Sequence, residues 1–231
     1  MNKKTSMSIH KVLSEIKKKS IAIPHIPITT STNEKPFTIL IEGNIGSGKT
    51  TFIQNLKKLN KDVEIYTEPI NQWKNLNSSN PLRIMYENPN RWSLTFQFLV
   101  QLTMLEIHKK NTHQPIKIME RSLYSGHYCF VNNFHTTGQI NMLEYEILTK
   151  WFNFLQKHEK FNLSADLIIY LKTDPEIAFN RIKKRGTNED LLINMKYIKN
   201  LHEMHEDWLI RKKYPIPAPV AVIDANYSNK K

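Results

Sequence analysis

No stretch constrains this chain more than Phe37–Thr51, FTILIEGNIGSGKTT, where an apolar run breaks into a glycine-rich loop and resumes as a helix. Within it, Gly43-Asn44-Ile45-Gly46-Ser47-Gly48-Lys49-Thr50 fits G-x-x-x-x-G-K-[ST] at every fixed position. Glycines let successive backbone N–H groups turn inward with no Cβ in the way. The helix that follows aims its positive end at the same point. Lys49 reaches the outer phosphates, the Thr50 hydroxyl can ligate Mg²⁺, and Thr51 completes the cradle. A chance glycine loop is the plain alternative. The pattern sits after a strand and opens a helix, as a phosphate loop must, so a bound nucleoside triphosphate is expected.

The rest of the chain alternates between the two periodicities. Val63–Thr67, Ile116–Met119, Asp166–Leu171 and Val220–Ile223 read as strands after the first. DLIIYL is apolar enough to be buried on both faces. Pro81–Tyr86, Arg91–Lys110, Leu123–Phe134, Met142–Glu159, Pro175–Lys184 and Met195–Lys212 read as helices. Leu148, Trp151, Phe152 and Leu155 form one core stripe; Trp92, Phe96, Val100 and Met104 form another. The alternation predicts an α/β fold with a parallel sheet covered by helices on both sides. The folded domain is expected over residues 36–231. Residues 1–35 read as a basic tail or leader, with Ile9, Val12, Leu13 and Ile16 on one helical face. Ile23–Asn33 reads as linker. A mitochondrial-type presequence and a solubilising tail fit that segment equally, so cytoplasm and mitochondrion both stay open.

Composition excludes several classes. No run is long enough to span a membrane, and no secretory apolar core is present. The single cysteine, Cys129, rules out an internal disulfide and reads as an inert buried thiol. The net charge is +12, of which the tail's seven Lys against Glu15 and Glu34 supply five. The remainder is dispersed and lacks the aromatic interleaving of a single-strand-binding groove, so neither nucleic acid nor membrane is expected as a partner. A GTPase is disfavoured, since D-x-x-G and N-K-x-D are both missing. His202-Glu203-Met204-His205 misses the H-E-x-x-H spacing of a zinc protease and reads as solvated helix.

In open parallel sheets, ligands bind beyond the carboxyl ends of the strands. Two further strands end in Glu68-Pro69 and Glu120-Arg121-Ser122. A phosphoryl transfer to a hydroxyl needs a carboxylate beside that hydroxyl and a cation to hold charge, which Glu68, Glu120 and Arg121 supply. Each alone reads equally well as a surface ion pair. Gln97 is the odd residue on an apolar helix face, because a buried amide needs a partner. An amide that flips can pair with either thymine or cytosine.

The ordered set IEGNIGSGKTT, TEP, FQ with V and M on one helix, MERS with YCFVNN, ADLIIYL and LHEMHEDWLI resembles the deoxynucleoside kinase family. The likeness is to its insect multisubstrate and mitochondrial thymidine kinase branch, from about Pro36 to Ala225. The resemblance implies a five-stranded parallel sheet of the nucleotide-kinase type. It implies a homodimer that moves the γ-phosphate of ATP, with Mg²⁺, to the 5′-hydroxyl of a deoxyribonucleoside. On it, Glu68 matches the general base, Arg121 the arginine on the same oxygen, Lys49 the loop lysine, and Glu120 the acid near Mg²⁺ beside Thr50. Gln97 matches the base-reading amide, and Tyr86 a 3′-hydroxyl contact. Trp73, Leu82, Met85, Phe96, Val100, Met104 and Phe130 match the pocket walls. Val100 and Gly126 stand where purine-preferring relatives carry charge, which implies a roomy, pyrimidine-leaning site.

The lid, expected near residues 181–190, departs from the family's R-x-R-x-x-E-like pattern. Arg185 is kept, Thr187 replaces the second arginine, and Asp190 stands where a Glu reaches the 3′-hydroxyl. Losing a phosphate clamp predicts slower turnover. Arg181, Lys183 and Lys184 either compensate or form a solvated face. The chain stops soon after Asn226, where relatives often continue into a further helix. Two other readings follow from these features. One is a retired kinase fold acting as a binding subunit. The other is a nucleoside monophosphate kinase, against which the mostly apolar acceptor side argues.

Overall fold

The computed structural model describes residues 14, 20–22, 35–59, 62–161 and 163–227. The expected leader stripe Ile9, Val12, Leu13 and Ile16 and the linker Ile23–Asn33 lie outside the described residues. Six strands form one sheet: β1 (Ser20–Ala22), β2 (Phe37–Glu42), β3 (Val63–Tyr66), β4 (Ile116–Glu120), β5 (Leu167–Lys172) and β6 (Val220–Asp224). Their order is β1-β6-β5-β2-β4-β3. Strands β2 to β6 run parallel, as expected. The short β1 adds an antiparallel edge on β6, with Ser20 opposite Ile223.

The helices are α1 (Lys49–Leu59), α2 (Ile70–Lys74), α3 (Pro81–Glu87), α4 (Pro89–Lys109), α5 (Leu123–Ser125), α6 (Asn132–Thr136), α7 (Met142–Lys157), α8 (Pro175–Arg185) and α9 (Met195–His205). Period-two alternation divides the core. Ile39, Ile41, Ile116, Ile118, Leu167 and Ile169 pack with Ile53 and Leu56 of α1 on one face. Leu40, Met119, Ile168 and Tyr170 pack under α4 and α7 on the other. Burying both faces of the central strands explains their unbroken apolar runs. Local chemistry sets the helix ends. Asn80 caps α3, its side chain accepting from the Arg83 N–H at 2.9 Å. Asn141 and Glu144 make a reciprocal capping box on α7. Gly186 closes α8 at φ 62°, where a Cβ would be strained.

Five expectations need correction. The helix expected over Leu123–Phe134 is broken by a π-helical segment, Gly126–Val131, and the one over Met195–Lys212 changes to π-helix at Glu206–Ile210. Such turns hold one extra residue and shift the phase of every side chain beyond them. Trp92 is half exposed under the Arg91 guanidinium rather than in the α4 core stripe. His205 is fully buried, with Nδ1 2.6 Å from the Leu201 carbonyl, not solvated. Finally, α2 fills a stretch after Glu68-Pro69 for which no helix is expected. Cys129 is buried, and burial pushes its thiol well above the usual range, in keeping with an inert role.

Candidate active site

Sheet order creates the site. Because β2 lies beside β4, and β4 beside β3, the loop after Glu42, the Glu120-Arg121 pair and Glu68 leave the sheet at one edge. The loop itself has little freedom. Gly43 and Gly46 sit at φ 146° and 79°, and a Cβ on Gly46 would meet the Ala178 carbonyl at 2.4 Å. Asn44 pins the loop to α9, its Nδ2 donating to the Ile198 carbonyl at 2.8 Å while its Oδ1 accepts from the Ile45 N–H. Ser47 is buried, whereas Gly48, Thr50 and Thr51 face solvent. Lys49 folds back on the loop, its Nζ donating to the carbonyls of Gly43 and Asn44 at 3.2 and 3.0 Å. Burial, with the nearby Arg121 charge, pulls its ammonium down to about 8.

On the neighbouring strand end, Thr50 Oγ1 donates to Glu120 Oε1 at 2.7 Å. That hydroxyl and carboxylate fit Mg²⁺, which takes one or two protein oxygens and leans on substrate phosphates for the rest. Among the described residues no group of three or more His, Cys, Asp or Glu could hold a metal by itself. Arg121 adopts φ 64°, a strained backbone for a non-glycine residue, with its N–H on the Ile41 carbonyl at 3.0 Å. Its Nε lies 2.8 Å from Glu68 Oε1. The N–H does not aim along that line, so the contact is an ion pair rather than a directed hydrogen bond. Burial raises the Glu68 carboxyl, and Arg121 and Lys49 offset this only in part. The Arg121 guanidinium also stacks 4.8 Å above the Phe130 ring.

Beyond this ion pair lies a cluster of apolar side chains, expected from the sequence to wall a nucleoside chamber. Trp73 meets Phe96 edge to face at 6.0 Å and donates Nε1–H to Thr103 Oγ1 at 2.9 Å. Met85, Phe96, Val100 and Met104 are buried, and Leu82 packs beside them. Gln97 is buried too, and its Oε1 has no partner among the described residues. Tyr86 packs edge to face on Tyr197 at 6.1 Å, and burial raises its hydroxyl. A Cβ at Gly126 would meet nothing within 4 Å, so there is open space at that position.

The segment expected as a lid is held internally. Arg185 gives Asp190 two hydrogen bonds, at 2.8 and 2.6 Å. Thr187 and Asp190 exchange two more, Thr187 N–H to Asp190 Oδ2 and Asp190 N–H to Thr187 Oγ1. Despite burial, these partners hold the Asp190 carboxyl below its usual range. Arg181 donates instead to the Asn226 carbonyl at 3.1 Å.

Several residues at this site were not singled out from the sequence. Glu189 pairs with Lys74 of α2 at 2.6 Å and accepts from Asn80, the cap of α3, at 2.8 Å, so the segment expected as a lid is tied to both α2 and α3. Despite burial, those two partners bring its carboxyl down to about 2. Glu42 is fully buried at the end of β2, accepts from Ser122 Oγ at 2.6 Å, and has its carboxyl pushed up to about 7 by burial. For Glu189 the signal was the acidic pair Glu189-Asp190; for Glu42 there was none, because a carboxylate just ahead of a glycine loop reads as solvated.

The deoxynucleoside kinase family model matches residues 39–231. The mitochondrial thymidine kinase 2 of Homo sapiens is 40% identical over 202 residues, covering 87% of this chain and 75% of its own. The deoxycytidine kinase of Mus musculus is 35% identical over 228 residues, covering 87% of this chain and 88% of its own. Deoxycytidine kinase 2 of Gallus gallus is 32% identical over 231 residues, covering 88% and 87% respectively. The matched span takes in phosphate loop, strand ends and lid alike, and on that ground the chain belongs to the deoxynucleoside kinase family of ATP-dependent phosphotransferases.

Proposed function

We propose that this kinase phosphorylates the 5′-hydroxyl of deoxyribonucleosides with a preference for pyrimidines and broad tolerance among them. One observation carries the reading: a Glu68–Arg121 pair stands between a phosphate loop and an apolar chamber whose buried amide, Gln97, is left with an open oxygen. An uncharged planar base suits such a chamber, and a phosphorylated acceptor does not. Glu68 takes the proton from the 5′-hydroxyl, and its raised carboxyl makes it a better base than an ordinary surface Glu. Arg121 holds the same oxygen and balances charge as the proton leaves. Lys49 holds the transferring phosphoryl, and Gln97 orients the base. Thr50 and Glu120 would hold Mg²⁺, which when bound neutralises charge on the outer phosphates. The open space at Gly126 and the apolar Val100 support the pyrimidine preference, since neither supplies a charge to a purine edge.

A homodimer is part of the proposal. Phe98 and Leu102 of α4 and Leu143, Ile147 and Phe154 of α7 are exposed on neighbouring helices. A patch of this kind is uncommon on a monomer. One of the relatives is a mitochondrial enzyme by name, and mitochondrial residence is the proposed location. No helix of the described residues is long and apolar enough to cross a membrane.

The test is transfer of labelled phosphate from ATP to thymidine, deoxycytidine, deoxyadenosine and deoxyguanosine. The pyrimidine nucleosides should be phosphorylated with the higher kcat/KM. Equal or better turnover of the purines overturns the preference. The engagement of Arg185 by Asp190 favours a second reading, a weakly active or binding-only protein. Thermal stabilisation by ATP–Mg²⁺ and thymidine without product formation would identify that case.

A further inference from the structure

Glu42 has no part in the chemistry above, yet its placement is costly. Its carboxylate is fully buried, and of its two oxygens only Oε1 has a hydrogen-bond partner among the described residues, the Ser122 hydroxyl at 2.6 Å. Ser122, the Arg121 charge, Ser125 and the Lys49 charge offset the burial of this carboxyl only in part, so keeping it there costs stability. Ser122 directly follows Arg121, the residue held at φ 64°. The turn is fastened at two points. Before the side chain, the Arg121 N–H is held by the Ile41 carbonyl at 3.0 Å. After it, Ser122 is held by Glu42, and Ser122 and Ser125 cap each other reciprocally. Ile41 and Glu42 are consecutive residues of β2, so one strand end grips the strained turn from both sides.

We infer that Glu42 is a positioning residue: through Ser122 it locks the Glu120-Arg121-Ser122 turn against the end of β2 and so sets where Arg121 meets Glu68. The inference rests on the kinase reading. It requires that the hydrogen bond, not the bulk of the side chain, does the positioning. Oxygen acceptors other than a carboxylate should therefore serve.

Steady-state kinetics with thymidine and ATP–Mg²⁺ test it on three variants. Ser122→Ala removes the donor, and its kcat should fall about tenfold to a hundredfold while KM for thymidine stays within about threefold, because the chamber walls are untouched. Glu42→Leu keeps the volume and removes the acceptor, and should show the same split. Glu42→Gln keeps an acceptor oxygen for Ser122 and should retain kcat within about threefold. In an Arg121→Lys background the Ser122→Ala loss should shrink, since two residues acting through one another are not additive. If Ser122→Ala does not fold, Ser122→Cys, a weaker donor of similar shape, takes its place. An unchanged kcat in a folded Ser122 variant overturns the inference. So does a rise in KM with kcat intact, or a loss in Glu42→Gln as large as in Glu42→Leu. Wild-type protein that transfers no phosphate fails the kinase reading itself, before any variant is compared.

Discussion

At the scale of single residues, chemistry follows from where strands stop. Glu68, Glu120 and Arg121 were legible in the sequence because each interrupts or ends an apolar run, and adjacent strands then bring them together. Glu42 was not legible in the same way. A carboxylate one residue ahead of a glycine loop reads as the loop's solvated edge, and only the tertiary neighbours Ser122 and Ser125 show it to be buried. The Glu68 carboxyl has its pKa raised, first by burial. A base must be deprotonated, so activity should fall as pH drops through that raised pKa, earlier on the acid side than for an ordinary Glu. Glu68→Gln removes the proposed base and should lower kcat by roughly 10²–10⁴. It should leave nucleoside binding near wild type, since Trp73, Phe96 and Gln97 are undisturbed. Measuring kcat and thymidine binding together checks this, and an unchanged kcat takes the base role from Glu68.

At the scale of elements, the regular parts were readable and the irregular ones were not. Lys117 in the strand Ile116-Lys117-Ile118-Met119 would by alternation face water. Instead it is buried and caps the end of α4, its Nζ donating to the carbonyls of Ile107, His108 and Lys110. The π-helical segment at Gly126–Val131 has no pattern of its own in a sequence read for period 3.6. The lid lies between these extremes. Its departure from the family pattern was visible at Thr187, but what Thr187 does there required the structure: it caps the turn that holds Asp190, and Asp190 holds Arg185. On the expected family pattern, the turn would carry a cap where a cation is expected, and it engages Arg185. Thr187→Arg should raise kcat by about tenfold by restoring a clamp on the phosphates. Losing the cap should cost about 1 kcal/mol of stability. Steady-state rates with ATP and a urea melt measure the two effects separately. A kcat that falls along with stability would mean that the cap matters more to the lid than the missing charge.

At the scale of the whole molecule, sequence alternation was enough for the parallel sheet and its two helical layers, because each central strand must be apolar on both faces to lie there. It was not enough for the histidines, whose burial depends on which helix covers which. His108, His127 and His205 are all buried, and burial lowers them to about 3, 4 and 3. His127 lies flat on Phe152 at 4.4 Å, and His108 Nε2 accepts from the Leu123 N–H at 3.3 Å, contacts made by neutral rings. In the unfolded chain each returns to about 6.5. As pH falls below that value the unfolded state binds protons that the folded state refuses, so stability declines. The decline continues until the folded-state values near 4 and 3 are reached. At pH 5 each neutral ring costs about 2 kcal/mol relative to pH 7, and three together exceed the margin of many domains. Glu42, with its carboxyl raised to about 7, and Glu68, raised by burial, take up protons in the folded state over the same range and offset part of this. The protein should therefore show a net but reduced loss of stability between pH 6.5 and 5, above the range in which the depressed Glu189 and Asp190 carboxyls titrate. Denaturant melts at stepped pH measure the slope. His108→Gln, which keeps an acceptor for Leu123 and cannot take up the proton, should flatten it. A slope that His108→Gln leaves unchanged would show that the His108 ring is protonated in the folded protein.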